Sequence, residues 1–71
     1  MKLHYYPETD TLYIELRDEP GSETREIADG LNVDLNEKGQ VVGFDIDHAS
    51  RNLDLTTLEA VELPLKATRI A

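Results

Sequence analysis

Apolar and polar positions alternate with a period of two along most of the chain. Leu3 and Tyr5 alternate with Lys2, His4 and Tyr6, which predicts a first strand. Pro7-Glu8-Thr9-Asp10 follows, and its proline, threonine and aspartate favour a turn. Leu12, Ile14 and Leu16 then share one face against Tyr13, Glu15 and Arg17, so the first two strands form a hairpin. Asp18-Glu19-Pro20-Gly21-Ser22 contains no apolar residue and reads as a loop. A third strand spans Glu23 to Ala28, with Ile27 its one strong apolar residue. Asp29-Gly30 predicts a tight turn, because glycine accepts a positive φ without steric cost. Leu31, Val33 and Leu35 alternate with Asn32, Asp34 and Asn36 in a fourth strand. After the turn Glu37-Lys38-Gly39-Gln40, a fifth strand runs from Val41 to Ile46. In it Val42, Phe44 and Ile46 share one face, and Val41, Gly43 and Asp45 the other. A glycine inside a strand predicts a bulge or the close approach of another backbone.

Beyond Asp47 the period changes. His48 to Asn52 reads as a helical turn or bend. Asp54 is a predicted N-cap for a helix carrying Leu55, Leu58 and Val61, and Thr56 with Glu59 offers an alternative capping pair. Pro64 disfavours helical geometry at Leu63, and Val61, Leu63 and Leu65 alternate with Glu62 and Lys66 as an extended end would. Ala67 to Ala71 is expected to fray. The expected fold class is α+β, mainly β: a small curved antiparallel meander of about five strands with a short C-terminal helix, in one domain over residues 1–71. The predicted core is Leu3, Tyr5, Leu12, Ile14, Leu16, Ile27, Leu31, Val33, Leu35, Phe44, Ile46, Leu55 and Leu58. Leu55 and Leu58 are expected to pack on the sheet face that bears Phe44 and Ile46, in the same chain or in its dimer partner.

Size sharpens this picture. A domain of 71 residues buries only about 60% of the surface its unfolded chain exposes, and the absence of cysteine removes disulfides as a supplement. Oligomerisation is the remaining common route, so a homodimer is expected. Fifteen Asp and Glu stand against seven Lys and Arg, a formal charge of −8, and the basic residues are scattered singly. Phosphate contacts need a basic face, so nucleic acid is not an expected partner, whereas a basic protein is. No apolar run reaches the roughly 20 residues of a membrane span, and the first residues carry no apolar leader. The expected compartment is cytoplasmic, with no membrane partner.

Two separated blocks carry a resemblance. Tyr6-Pro7-Glu8-Thr9-Asp10-Thr11-Leu12-Tyr13-Ile14-Glu15-Leu16 forms the first. The second holds Val33-Asp34, Gly39-Gln40-Val41-Val42-Gly43-Phe44-Asp45-Ile46 and Ala49-Ser50. In order and spacing over residues 1 to about 50, they resemble the small prokaryotic proteins of domain-of-unknown-function family 2283. The resemblance implies a small β-rich fold and transfers no catalytic or binding residue. It departs at Asp47-His48, where the pattern has an apolar residue and then an acidic one, and it fades beyond Arg51.

Candidate chemistry is sparse. Asp45, Asp47 and His48 form the one local cluster of metal-ligand type, but a site needs three or four converging ligands and His4 or Asp34 could join only through the fold. Ser50 lies two residues from His48, a spacing that does not place its hydroxyl at the imidazole, and Ser22 sits in an acidic loop. No catalytic, cofactor-binding or metal-binding residue is assigned, and no cofactor is expected. Tyr6 and Tyr13 are expected on the outer face, either as an interface feature or as a cross-strand pair. The expected function is a non-enzymatic, small, acidic protein-interaction module. It acts as a homodimer or as an antitoxin-like partner of a basic protein. The alternative is a small-molecule or metal-binding protein with its site at a subunit interface near Asp45, Asp47 and His48.

Overall fold

The structure is a computed structural model, and it describes residues 1–64. Strands β1 (Lys2–Tyr6), β2 (Thr11–Glu15), β3 (Glu23–Ala28), β4 (Leu31–Leu35) and β5 (Val41–Ile46) are followed by one helical turn, α1 (Ala49–Asn52). All neighbouring strands pair antiparallel in one open sheet, so the fold is mainly β with one small helix, as the alternation requires. The spatial order is β1-β2-β5-β4-β3. Only β3, β4 and β5 follow the chain as a meander; the β1–β2 hairpin joins the free side of β5. The chain end of β2 is tied there, because the N–H groups of Leu16 and Arg17 both donate to the Val42 carbonyl at 2.9 and 3.2 Å. The 18–22 loop then crosses to the far edge, where Ser22 N–H donates to Leu35 O at 2.7 Å. Gly30 makes the β3–β4 turn with φ of 76°, a conformation that disfavours a Cβ.

Register sorts the side chains onto two faces. Leu3 pairs with Ile14, Ile14 with Phe44, and Phe44 with Val33; Tyr5, Leu12, Ile46 and Leu31 form a parallel row. These rows make one apolar face. At β3 the face changes character: Arg25 lies opposite Val33 and Glu23 opposite Leu35, and the two form an ion pair. The other face carries His4, Tyr13, Asp45 and Asn32 in one row, with Glu15, Gly43 and Asp34 in the next.

Few residues are fully buried. Among the described residues the apolar core consists of Val33, Val42 and Ala49, at 6%, 1% and 0% exposure. Leu12, Ile14, Leu16, Leu31, Leu35, Phe44 and Ile46 are half-buried. The expected core members Leu3, Tyr5, Ile27, Leu55 and Leu58 are exposed. The reason is architectural: a sheet needs a second layer to bury its apolar face, and the described residues supply only α1 and a short segment after it. Ile27 falls at an edge-strand irregularity between Glu26 and Ala28, away from that cover.

The helix expected over Leu55, Leu58 and Val61 does not form. Asp54 instead closes a local turn, its carboxylate accepting from the Thr56 N–H at 3.0 Å and from the hydroxyls of Thr56 and Thr57. Such side-chain-to-backbone bonds compete with helix nucleation, and the segment's threonines add poor helix propensity. The expected extended end at Leu65 and Lys66 and the fraying tail lie outside the described residues. No helix among the described residues is long and apolar enough to cross a membrane.

Candidate functional site

Asp10 organises one end of the molecule. The β1–β2 turn places it in the left-handed region, at φ 54°. From there its carboxylate accepts Tyr5 Oη at 2.7 Å, Ser50 Oγ at 2.7 Å and Ser50 N–H at 3.1 Å, while its carbonyl accepts Ala49 N–H at 2.9 Å. The N-cap residue of α1 itself, His48, also has positive φ (51°) and makes no side-chain cap. Asp10 thus caps the helical turn from across the sheet. Hydrogen bonds from Ser50 first, and then Tyr5, hold the Asp10 carboxyl below its usual range. The same bond to Asp10 pushes the Tyr5 phenol up.

This latch directs the chain back over the apolar face. Leu53 N–H closes α1 on Ala49 O at 2.8 Å, and residues 53–58 then run beside β1. Between segment and sheet lies a groove of about 610 Å³ walled by Leu3, Tyr5, Leu12, Leu53, Leu55 and Leu58. Leu55 and Leu58 therefore meet the expected face, the one that bears Phe44 and Ile46, but at its β1–β2 end. They fill it incompletely: Leu3 stays 46% exposed and Leu58 56%. A second hollow, about 560 Å³, lies among the loops near Arg17, Glu19, Ser22 and Lys38. It is polar and its groups satisfy one another, with Asn36 Nδ2 bridging Glu19 and Gln40.

The opposite face holds the carboxylates. Tyr13 lies across Gly43 and donates its hydroxyl to Asp34 Oδ2 at 3.1 Å; Thr24 donates to Asp34 Oδ1 at 2.7 Å. The irregularity anticipated at Gly43 lies beside it, where the β4–β5 register passes from Asp34–Gly43 to Leu35–Val41 and skips Val42, and the close approaches at Gly43 are the Tyr13 side chain and the Ile14 carbonyl of the same sheet. Tyr6 and Tyr13 both lie on the face opposite Leu12 and Ile14, as expected; Tyr13 is half-buried there, whereas Tyr6 is 50% exposed. Asp45 has one buried carboxylate oxygen without a hydrogen-bond partner. Burial first, then the neighbouring Asp47 and Asp34, pushes its carboxyl above the usual range.

The structure does not bring Asp45, Asp47 and His48 together as ligands. The left-handed backbone at His48 turns the chain toward Asp10, whose carboxylate feels the imidazole charge. Among the described residues no group of three His, Cys, Asp or Glu is placed to hold a metal ion. The Ser50 hydroxyl is committed to Asp10, and Ser22 Oγ donates to Leu35 O at 3.4 Å. Residues 2–50, more than half of the chain, match the model of the family described as Protein of unknown function (DUF2283). The chain belongs to that family. The DUF2283 match ends at Ser50, the residue that completes the Asp10 latch, so the match holds the sheet and latch and leaves out the segment walling the groove. No curated protein and no solved structure matches the chain.

The latch was not visible in the sequence. Asp10 reads locally as a turn residue, and its partner lies 40 positions away. The groove was foreshadowed by the apolar content of residues 53–63, but not its location over β1.

Proposed function

We propose that this DUF2283 chain is a non-enzymatic protein-interaction module whose working form is a homodimer. The observation that carries this is the single-layer sheet: one apolar face spans β1, β2, β5 and β4, and among the described residues its cover is α1 and a segment whose own leucines are about half exposed. Soluble domains stabilise such a face against a second layer, and a chain of this size without disulfides has little else to draw on. A second copy supplies the missing contact. The dimer's further partners are cationic proteins, since fifteen carboxylates against seven Lys and Arg favour them over polyanions.

The test is mass by light scattering or sedimentation from nanomolar to high micromolar concentration, with melting temperature followed over the same range. The expected result is twice the chain mass and a melting temperature that rises with concentration. A one-chain mass at every concentration, with a constant melting temperature, would exclude the homodimer.

A further inference from the structure

We propose that the second copy docks edge to edge on β1, with a two-fold axis at His4, so that the two sheets join into one. This rests on the homodimer reading and names its surface. Three separate observations select β1 over the other edge of the sheet.

The first is edge protection. Exposed edges invite strand pairing and are normally blunted by charges or bulges. β3 has both: Glu23, Arg25 and Glu26 along its length, and a register shift between Glu26 and Ala28. β1 pairs with β2 in unbroken register from Lys2 to Tyr6, and among the described residues it has no bulge and a single charged residue, Lys2 at its start. The second is the location of exposed apolar surface. Leu3, Tyr5 and Tyr6 lie on β1, and Leu53, Leu55 and Leu58 on the adjoining segment; β3 offers Ile27 alone. The third is charge. Two copies of a −8 chain repel, and β1 is the one strand of the five without a carboxylate. A cationic partner would be drawn elsewhere, to the carboxylates. A second copy meets least repulsion here.

The antiparallel register follows from the symmetry. Lys2 faces the partner's Tyr6, Leu3 faces the partner's Tyr5, and His4 faces the partner's His4. No acidic residue meets another across the seam. Leu3 and Tyr5 lie on the apolar face and wall the groove, so the pairing brings both grooves to the seam and makes the two apolar faces continuous.

The chain has no cysteine, so one substitution gives a clean probe. Opposed Cα atoms in an antiparallel pair lie roughly 4.5–5.5 Å apart, within the span a disulfide bridges. His4→Cys is expected to form an interchain disulfide under mild oxidation with unchanged far-UV circular dichroism, while Glu26→Cys on β3 is not. His4→Glu sets two carboxylates opposite each other and is expected to weaken the dimer at least roughly tenfold, whereas His4→Gln retains it. Circular dichroism on each variant separates loss of pairing from loss of fold. A parent dimer whose affinity is unchanged in folded His4→Glu, with no cross-link in His4→Cys, overturns the β1 interface and leaves the homodimer intact. A monomeric parent overturns the homodimer and this interface together.

Discussion

Asp10 and Ser50 stand 40 residues apart in the chain, yet the Asp10 carboxylate takes both the backbone N–H and the hydroxyl of Ser50, at 3.1 and 2.7 Å. The β1–β2 turn thereby fixes where the chain leaves the sheet after β5. A four-residue helix cannot hold itself together, because nucleation costs more than one turn of hydrogen bonds returns. The cap from Asp10 is what makes α1 a fixed element.

Asp10→Ala and Ser50→Ala are therefore each expected to lower the melting temperature by several degrees, and the double variant to lose little more than either single one, since both remove the same contact. The acid limb carries a second signature. The Asp10 carboxyl is held below its usual range in the folded chain, so its contribution is full above the unfolded value and disappears as pH falls through the folded one. Asp10→Asn should flatten the part of the acid destabilisation that lies below the ordinary carboxylate range. Additive losses in the double variant would mean that the two residues stabilise the fold by separate contacts.

The strands were legible because each carries its own evidence. Leu12, Ile14 and Leu16 against Tyr13 and Glu15 specify a half-buried strand without reference to anything else, and Asp29-Gly30 specifies its own turn. What was not legible depends on pairs distant in sequence. Nothing near Val42 reveals that its carbonyl takes two N–H groups from the end of β2, so its place in the core and the insertion of β5 between β2 and β4 could not be read. Likewise Leu55 and Leu58 have helical spacing, but Asp54 and the two threonines after it divert the backbone into a turn. Asp45, Asp47 and His48 looked like one cluster because they are adjacent; Asp45 and Asp47 do stay neighbours, but the positive φ at His48 turns the chain there toward Asp10.

Gly43 and Tyr13 form a second coupled pair. A Cβ at Gly43 would collide with the Tyr13 ring and lie 3.0 Å from the Ile14 carbonyl. Gly43→Ala is expected to cost about 1–3 kcal/mol, because the ring must leave its place and break its bond to Asp34. In a Tyr13→Ala background the same substitution should cost clearly less, since only the backbone contact is left. Denaturant titrations of the four proteins in this cycle measure the coupling. Equal costs in both backgrounds would show that the ring does not occupy the glycine.

Burial ranks the apolar positions differently from their size. Val42 is 1% exposed and Leu58 56%. Val42→Ala should cost roughly 2 kcal/mol, within the range for a fully buried aliphatic side chain. Leu58→Ala should cost less than about 1 kcal/mol at protein concentrations where the chain is monomeric. Truncation after Asn52 should leave a folded sheet, because the latch and all five strands lie before it. Urea titrations read all three, and a Leu58→Ala cost above that of Val42→Ala would place the segment in the core.

The last prediction concerns the carboxylate that lacks a partner. One oxygen of Asp45 is buried without a hydrogen bond, and the charges acting on it are Asp47 and Asp34, with Tyr13 opposite it in the neighbouring strand. Burial and these neighbours disfavour the ionised form, so the folded chain binds a proton more tightly at Asp45 than the unfolded chain does. The sign of the linkage is opposite to that of Asp10. As pH rises from the unfolded value to the folded one, the folded state keeps a proton that the unfolded state has released, and stability falls across that window and stays lower above it. Asp45→Asn removes the charge while keeping the size. It is expected to raise the melting temperature by a few degrees at neutral pH, with the gain closing as pH falls below the ordinary carboxylate range. Asp47→Asn should move stability the same way, because it relieves the charge that acts on Asp45 most strongly. Melting curves at neutral and acid pH decide it. A lower melting temperature for Asp45→Asn at neutral pH would mean that the ionised carboxylate is the stabilised form, and would overturn this linkage.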